Sequence, residues 1–144
     1  MKQSARGYFD VAWTPLELGE PIRIEIKASS EHPGYRFQQI RDPRLSGRGE
    51  LDYDVLLGLG VTSATLEFWW IPTRDVIEYI ESDLFTNQHG GSKSESGTFW
   101  VTMDQRAREL MVRHSVAPGE LRAHALSAAV TAPPVARAPN RRPR

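Results

Sequence analysis

The chain has 144 residues, 40% of them hydrophobic and 25% charged, and it contains no cysteine. That is room for one domain of ordinary size. It excludes disulfides, thiolate zinc sites, iron–sulfur clusters and a cysteine nucleophile, and no run approaches the roughly 18 apolar residues of a membrane-spanning helix. The net charge of zero hides an asymmetry: residues 105–144 carry 8 arginines against Glu109 and Glu120, leaving 10 basic and 16 acidic side chains in residues 1–104. No apolar stretch follows Lys2 and Arg6, so the sequence predicts no signal peptide, and a cytoplasmic protein without a membrane partner is the expectation.

Residues 7–13 read as a strand that Pro15 ends, and Leu18 to Pro21 as a turn. Ile22 to Lys27 alternates with period two, which predicts a strand with its isoleucines on one face and Arg23, Glu25 and Lys27 on the other. Tyr35 to Arg41 reads as a turn or two of helix or as a strand, stopped by Asp42-Pro43 and followed by a polar loop over 44–50. Tyr53 to Val61 is nearly continuous apolar sequence, as expected of a strand buried on both faces. Gly58-Leu59-Gly60 inside it lacks the rest of a nucleotide-binding loop, so strand packing is its reading. Leu66 to Ile71 is strand-like by its β-branched and aromatic content, and core packing is the better reading of Trp69-Trp70.

Thr73 predicts the N-cap of a helix running to about Ser82, with Asp75 suited to its first turn. Residues 87–97 form a Gly/Ser loop, Thr98 to Met103 the last strand, and Asp104 the cap of a helix to about His114. From Ala117 the chain is Ala, Pro and Arg, a composition that cannot bury a core. Its arginines suit either a polyanion or a solvated end. The sum is an α/β domain with a single mixed sheet and short flanking helices. The expected divisions are a disordered start (1–6), a core (7–104), a C-terminal helix (105–116) and a largely disordered tail (117–144).

The chemistry concentrates on three residues. On a strand, Glu25 and Lys27 stand on one face about 6.6 Å apart, and Asp10 reaches the same point if the first strand pairs with the second. Two converging carboxylates make an oxygen-ligand site suited to Mg²⁺, with Mn²⁺ as a substitute. Such an ion holds a phosphate and lowers the pKa of a bound water, and a lysine offsets charge gathering in the transition state. Phosphodiester hydrolysis needs these parts. An acid-x-lysine pair is also what any solvated strand face carries, so geometry must decide. Catalysis requires Asp10, Glu25 and Lys27 in one cleft, whereas a structural role leaves Glu25 and Lys27 exposed and Asp10 elsewhere. His89, in a Gly-flanked loop, suits a phosphate contact or a turn, and His32, His114 and His124 lack metal-ligand spacing. Arg36, Arg41, Arg44 and Arg48 form the basic cluster of the body and suit a duplex backbone or a solvated loop.

Phe9-Asp10, Glu25-Ile26-Lys27-Ala28-Ser29, Tyr35-Arg36-Phe37-Gln38-Gln39-Ile40-Arg41, Tyr53 to Gly60, Phe68 to Pro72, Leu84 to Gly91 and Thr98-Phe99-Trp100 occur in that order. This ordered set resembles the PD-(D/E)XK restriction-endonuclease-like nucleases of bacteria and phages over about residues 7–104, with Phe9 where the named motif has proline. The resemblance implies a restriction-endonuclease-like fold and a Mg²⁺-dependent DNA endonuclease of the restriction, repair or mobile-element type. It implies Asp10 and Glu25 as metal ligands, the Ile26 carbonyl as a further ligand and Lys27 as the catalytic lysine. DNA, and a second copy of the chain, are the partners it implies. Gln38 and Gln39 fall near a glutamine that some relatives place close to the site, without the Gln-x-x-x-Tyr pattern. The family's sheet is normally preceded by a helix that often carries another acid, whereas nine residues precede Asp10. A catalytically inactive DNA- or protein-binding relative and a structural domain stand as the other readings.

Overall fold

The computed structural model describes residues 2–3, 9–46, 49–89, 91–92 and 97–131. Its centre is the pair of strands with the strongest apolar signal. Strand β5 (Val55–Val61) lies between β3 (Ile22–Ser29), which it meets in parallel, and β6 (Leu66–Pro72), which it meets antiparallel. Strands β1 (Lys2–Gln3), β2 (Val11–Trp13) and β9 (Ser115–Val116) complete a six-stranded sheet of order β1-β2-β3-β5-β6-β9. A second sheet holds β4 (Arg36–Arg41), β7 (Thr86–Asn87) and β8 (Thr98–Thr102) in the order β4-β8-β7. Among the described residues three helices, α1 (Thr73–Glu81), α2 (Gln105–Leu110) and α3 (Leu121–Thr131), flank the sheets. Among the described residues no helix is long and apolar enough to cross a membrane.

Alternation sorts the side chains of the large sheet between two cores. Leu56, Trp69 and Ile71 pack with Phe37 and Ile40 of β4, Phe99 and Val101 of β8, and Val76, Tyr79 and Ile80 of α1. Ile22, Ile24, Leu57 and Trp70 face the other way, together with Val116 and Ala125 of α3. Each Trp is thus buried on its own side of the sheet. The glycines of β5 follow from the same packing. A Cβ on Gly60 would lie 2.3 Å from the Tyr35 ring, and one on Gly58 would lie 2.9 Å from Phe37.

Several expectations need correction. The single sheet is two, because Tyr35 to Arg41 forms a strand that leaves the large sheet and pairs with β8. The first strand is shorter than expected: Asp10 is a bend, and regular pairing starts at Val11. Residues 1–6 were expected to be disordered, yet Lys2–Gln3 pairs with Val11–Ala12. Thr73 is not a cap but the first helical residue, buried at 1% exposure, and its N–H donates to the Asp54 carbonyl at 3.1 Å. Asp104 does cap α2, accepting from Ala107 N at 2.9 Å, but that helix stops at Leu110 and a 3₁₀ turn covers Val112–His114. Thr98–Thr102 is not the last strand, since β9 adds to the edge of β6. Residues 121–131 of the expected tail are helical, and Ala125 is 1% exposed. The rest of that tail, 132–144, lies outside the described residues.

Candidate active site

The site forms where β2 begins, against the middle of β3. Val11 lies opposite Ile24, so the residue before it arrives beside Glu25. The Asp10 N–H donates to the Ile24 carbonyl at 2.9 Å, and the Asp10 carboxylate accepts from the Ile26 N–H at 2.7 Å. Within a strand the N–H and C=O of one residue point to the same edge. The Ile26 carbonyl therefore points to the edge that carries Asp10. Glu25 and Lys27 share the opposite face from Ile24 by alternation, and Lys27 Nζ stands 3.8 Å from Glu25 Oε1.

Burial governs the electrostatics. Glu25 is 7% exposed. That burial, followed by the hydrogen bond to Asp10, raises its carboxyl to about 8 against the opposing pull of Lys27 and Arg41. Burial also pushes the Asp10 carboxyl up, but the hydrogen bonds from Glu25 and the Ile26 N–H, with Lys27 nearby, outweigh it and hold Asp10 below its usual value. At neutral pH the metal-free pair therefore shares one proton, which Glu25 keeps and presents to an ionised Asp10.

Behind the pair stand residues of the smaller sheet and of the loop before β5. Arg41, at the end of β4, lies close enough to Glu25 to lower its carboxyl. Arg41 Nε donates to Asp52 Oδ2 at 3.0 Å, and the Asp52 side chain is fully buried. The Tyr53 hydroxyl donates to the Arg41 carbonyl, and burial together with Glu25, Asp42 and Asp52 keeps that phenol well above its ordinary value. Sequence reasoning missed Asp52 and Tyr53. Their only signal was the run Asp52-Tyr53-Asp54 directly before a buried strand.

The remaining candidates separate. Arg36 is exposed, its guanidinium over the Trp100 ring. Arg44 is held by Asp42 at 2.9 Å and by Glu81 at 2.9 Å, so its charge is already matched within the chain. Gln38 is exposed, and Gln39 sits at φ 57 in the irregular stretch of β4, its N–H bonded to the Gln88 side chain at 2.8 Å. His89 is exposed, and Arg48 lies outside the described residues. A groove of about 650 Å³ between α1 and α3, lined by Arg74, Asp75, Arg113, His114 and His124 among others, contains none of Asp10, Glu25 and Lys27.

Among the described residues no three His, Cys, Asp or Glu side chains are placed to hold a metal ion together. A cation here would have Asp10, Glu25 and the Ile26 carbonyl, an all-oxygen set. Mg²⁺ accepts few protein ligands and completes its shell with water, and the two carboxyls are joined only by a proton that a divalent ion would replace. The donor set fits the ion. No family model, curated protein or solved structure matches the chain.

Proposed function

We propose that the chain is a Mg²⁺-dependent DNA endonuclease of the PD-(D/E)XK type, hydrolysing phosphodiesters at Asp10, Glu25 and Lys27. One observation carries this reading. A solvated strand face would leave Glu25 in water, whereas it is 7% exposed, hydrogen-bonded to Asp10 and faced by Lys27. Buried, mutually perturbed ionisable groups of this kind mark reaction sites more often than ordinary strand faces.

A divalent ion held by the pair would supply positive charge to a substrate phosphate and lower the pKa of a bound water. Asp10, fixed by the Ile26 N–H, and Glu25, once ionised, would hold it. Lys27 places an ammonium beside the reacting phosphate, where it orients the water and offsets the charge that builds on phosphorus. Asp52 and Tyr53 hold Arg41 at both its side chain and its backbone, and its guanidinium works to lower the Glu25 carboxyl.

Two variants separate the roles. Mn²⁺ titrated calorimetrically should bind the wild type and Lys27→Ala, but not Glu25→Ala, and neither variant should cut DNA. Metal binding without cutting by the wild type would instead favour an inactive nuclease-fold binding module. Equal Mn²⁺ binding by wild type and Glu25→Ala would remove the site altogether.

A further inference from the structure

We infer that Arg36 and Trp100, on the outer face of the smaller sheet, form a stacking platform for an unpaired stretch of the nucleic acid cut at Glu25. This rests on the nuclease reading and adds to it the place where the strand lies.

The face is built by alternation on β8. Phe99 and Val101 point into the core, so Thr98, Trp100 and Thr102 point outward and are half-exposed. From the neighbouring strand β4, Arg36 crosses Trp100 with its guanidinium carbon 4.4 Å from the ring centroid, and its Nε donates to Thr102 Oγ1 at 3.2 Å. These contacts fix a flat cation on a flat ring, and both planes are surfaces on which bases stack.

Charge distinguishes Arg36 from its neighbours. Arg41 and Arg44 are matched by carboxylates, whereas Arg36 meets only a hydroxyl and a ring among the described residues. A guanidinium with no acid against it, in an acidic body, is complementary to a phosphate.

The platform adjoins the strand that carries the candidate site. Ser29 lies two residues beyond Lys27 on the same face of β3, and its Oγ accepts from the Arg36 backbone N–H at 3.1 Å. The Arg36 side chain stands on the outer face, so a strand leaving Lys27 along β3 would pass Ser29 and cross the β4 backbone to reach Arg36 and Trp100. A hydroxyl, a guanidinium with no acid against it, an indole and a second hydroxyl suit an unpaired strand, which offers phosphates and exposed base faces together. A duplex would present only its phosphates.

The test is binding in EDTA, where cutting is suppressed, of a labelled oligothymidylate of about 12 nucleotides and of a hairpin duplex. Arg36→Ala and Trp100→Leu should each raise the Kd for the single strand about fivefold or more, with a smaller effect on the hairpin. Arg74→Ala, which removes an equally exposed charge on α1, should leave both affinities close to wild type. Trp100 also packs, so thermal melts accompany each variant, and Arg36→Gln, which retains a donor for Thr102, must reproduce the loss. Equal effects of Arg36→Ala and Arg74→Ala, or equal losses on strand and hairpin, would overturn the platform. If the wild type cuts DNA with metal while these variants bind and cut normally, the platform fails and the nuclease survives. If the wild type binds neither nucleic acid, both fail.

Discussion

Glu25 is the residue on which the site turns, and its environment makes a prediction independent of substrate. Its folded value of about 8 lies above the ordinary 4.5. A raised carboxyl adds stability that is fully present below 4.5 and is lost as pH rises through 8. In EDTA, Glu25→Gln keeps the shape and cannot ionise. Its melting temperature should therefore gain on the wild type as pH rises across that window, and melts that run parallel would show that the pair shares no proton.

His114 gives the opposite sign. Burial, then Arg113, then the neighbouring His124 lower it to about 4, although a hydrogen bond to the Trp70 backbone works against them. Its Nε2 lies 2.8 Å from the Tyr79 hydroxyl and 4.0 Å from Asp75, and accepts from Arg113 Nε at 3.4 Å; as an unprotonated nitrogen it takes the tyrosine as its donor. The unfolded chain takes up a proton near 6.5 that the folded chain refuses until about 4, so stability falls as pH drops between those values. The full loss is roughly 3 kcal/mol by linkage. His114→Gln should flatten that arm of the pH–stability curve, and an unchanged slope would contradict the assignment.

At the scale of elements, β5 shows what sequence conveys and what it does not. Its nearly continuous apolar run reports burial on both faces, and the structure agrees. Why Gly58 and Gly60 interrupt that run is invisible until β4 and the preceding Tyr35 are laid across them. Tyr35 is fully buried and has nowhere to move. Gly60→Ala should therefore destabilise by about 2 kcal/mol or more in denaturant melts; a cost near zero would mean the rings are not packed as described. The cap of α2 is the contrary case, legible because Asp104 acts on its own neighbours. Asp104→Ala should cost about 1 kcal/mol. Thr73 carried the same local signal and failed, because the chain enters the helix one residue early: Pro72 occupies the cap position and Thr73 is already helical and buried.

Across the whole molecule the division is between local and distant information. Asp10, Glu25 and Lys27 were legible because strand periodicity and one antiparallel pairing bring them together. Asp52, Tyr53 and the position of Arg41 were not, since they arrive through a strand that changes sheets, and periodicity reports a face without naming the partner that covers it. The helix at 121–131 was missed for a related reason. Its composition cannot build a core of its own, but it closes one already made by β3, β5 and β6, with Ala125 inside and Arg122 paired to Glu17. Ala125→Glu should accordingly cost about 2 kcal/mol or more in a denaturant melt, whereas a neutral result would place α3 off the sheet.

The chemistry at Glu25 decides the function of the chain. Supercoiled plasmid incubated with the purified chain should be nicked or linearised in Mg²⁺ or Mn²⁺, stay intact in EDTA, and stay intact with folded Glu25→Ala in either metal. Cutting by Glu25→Ala at the wild-type rate, or an intact plasmid with folded wild-type protein and metal present, would contradict it.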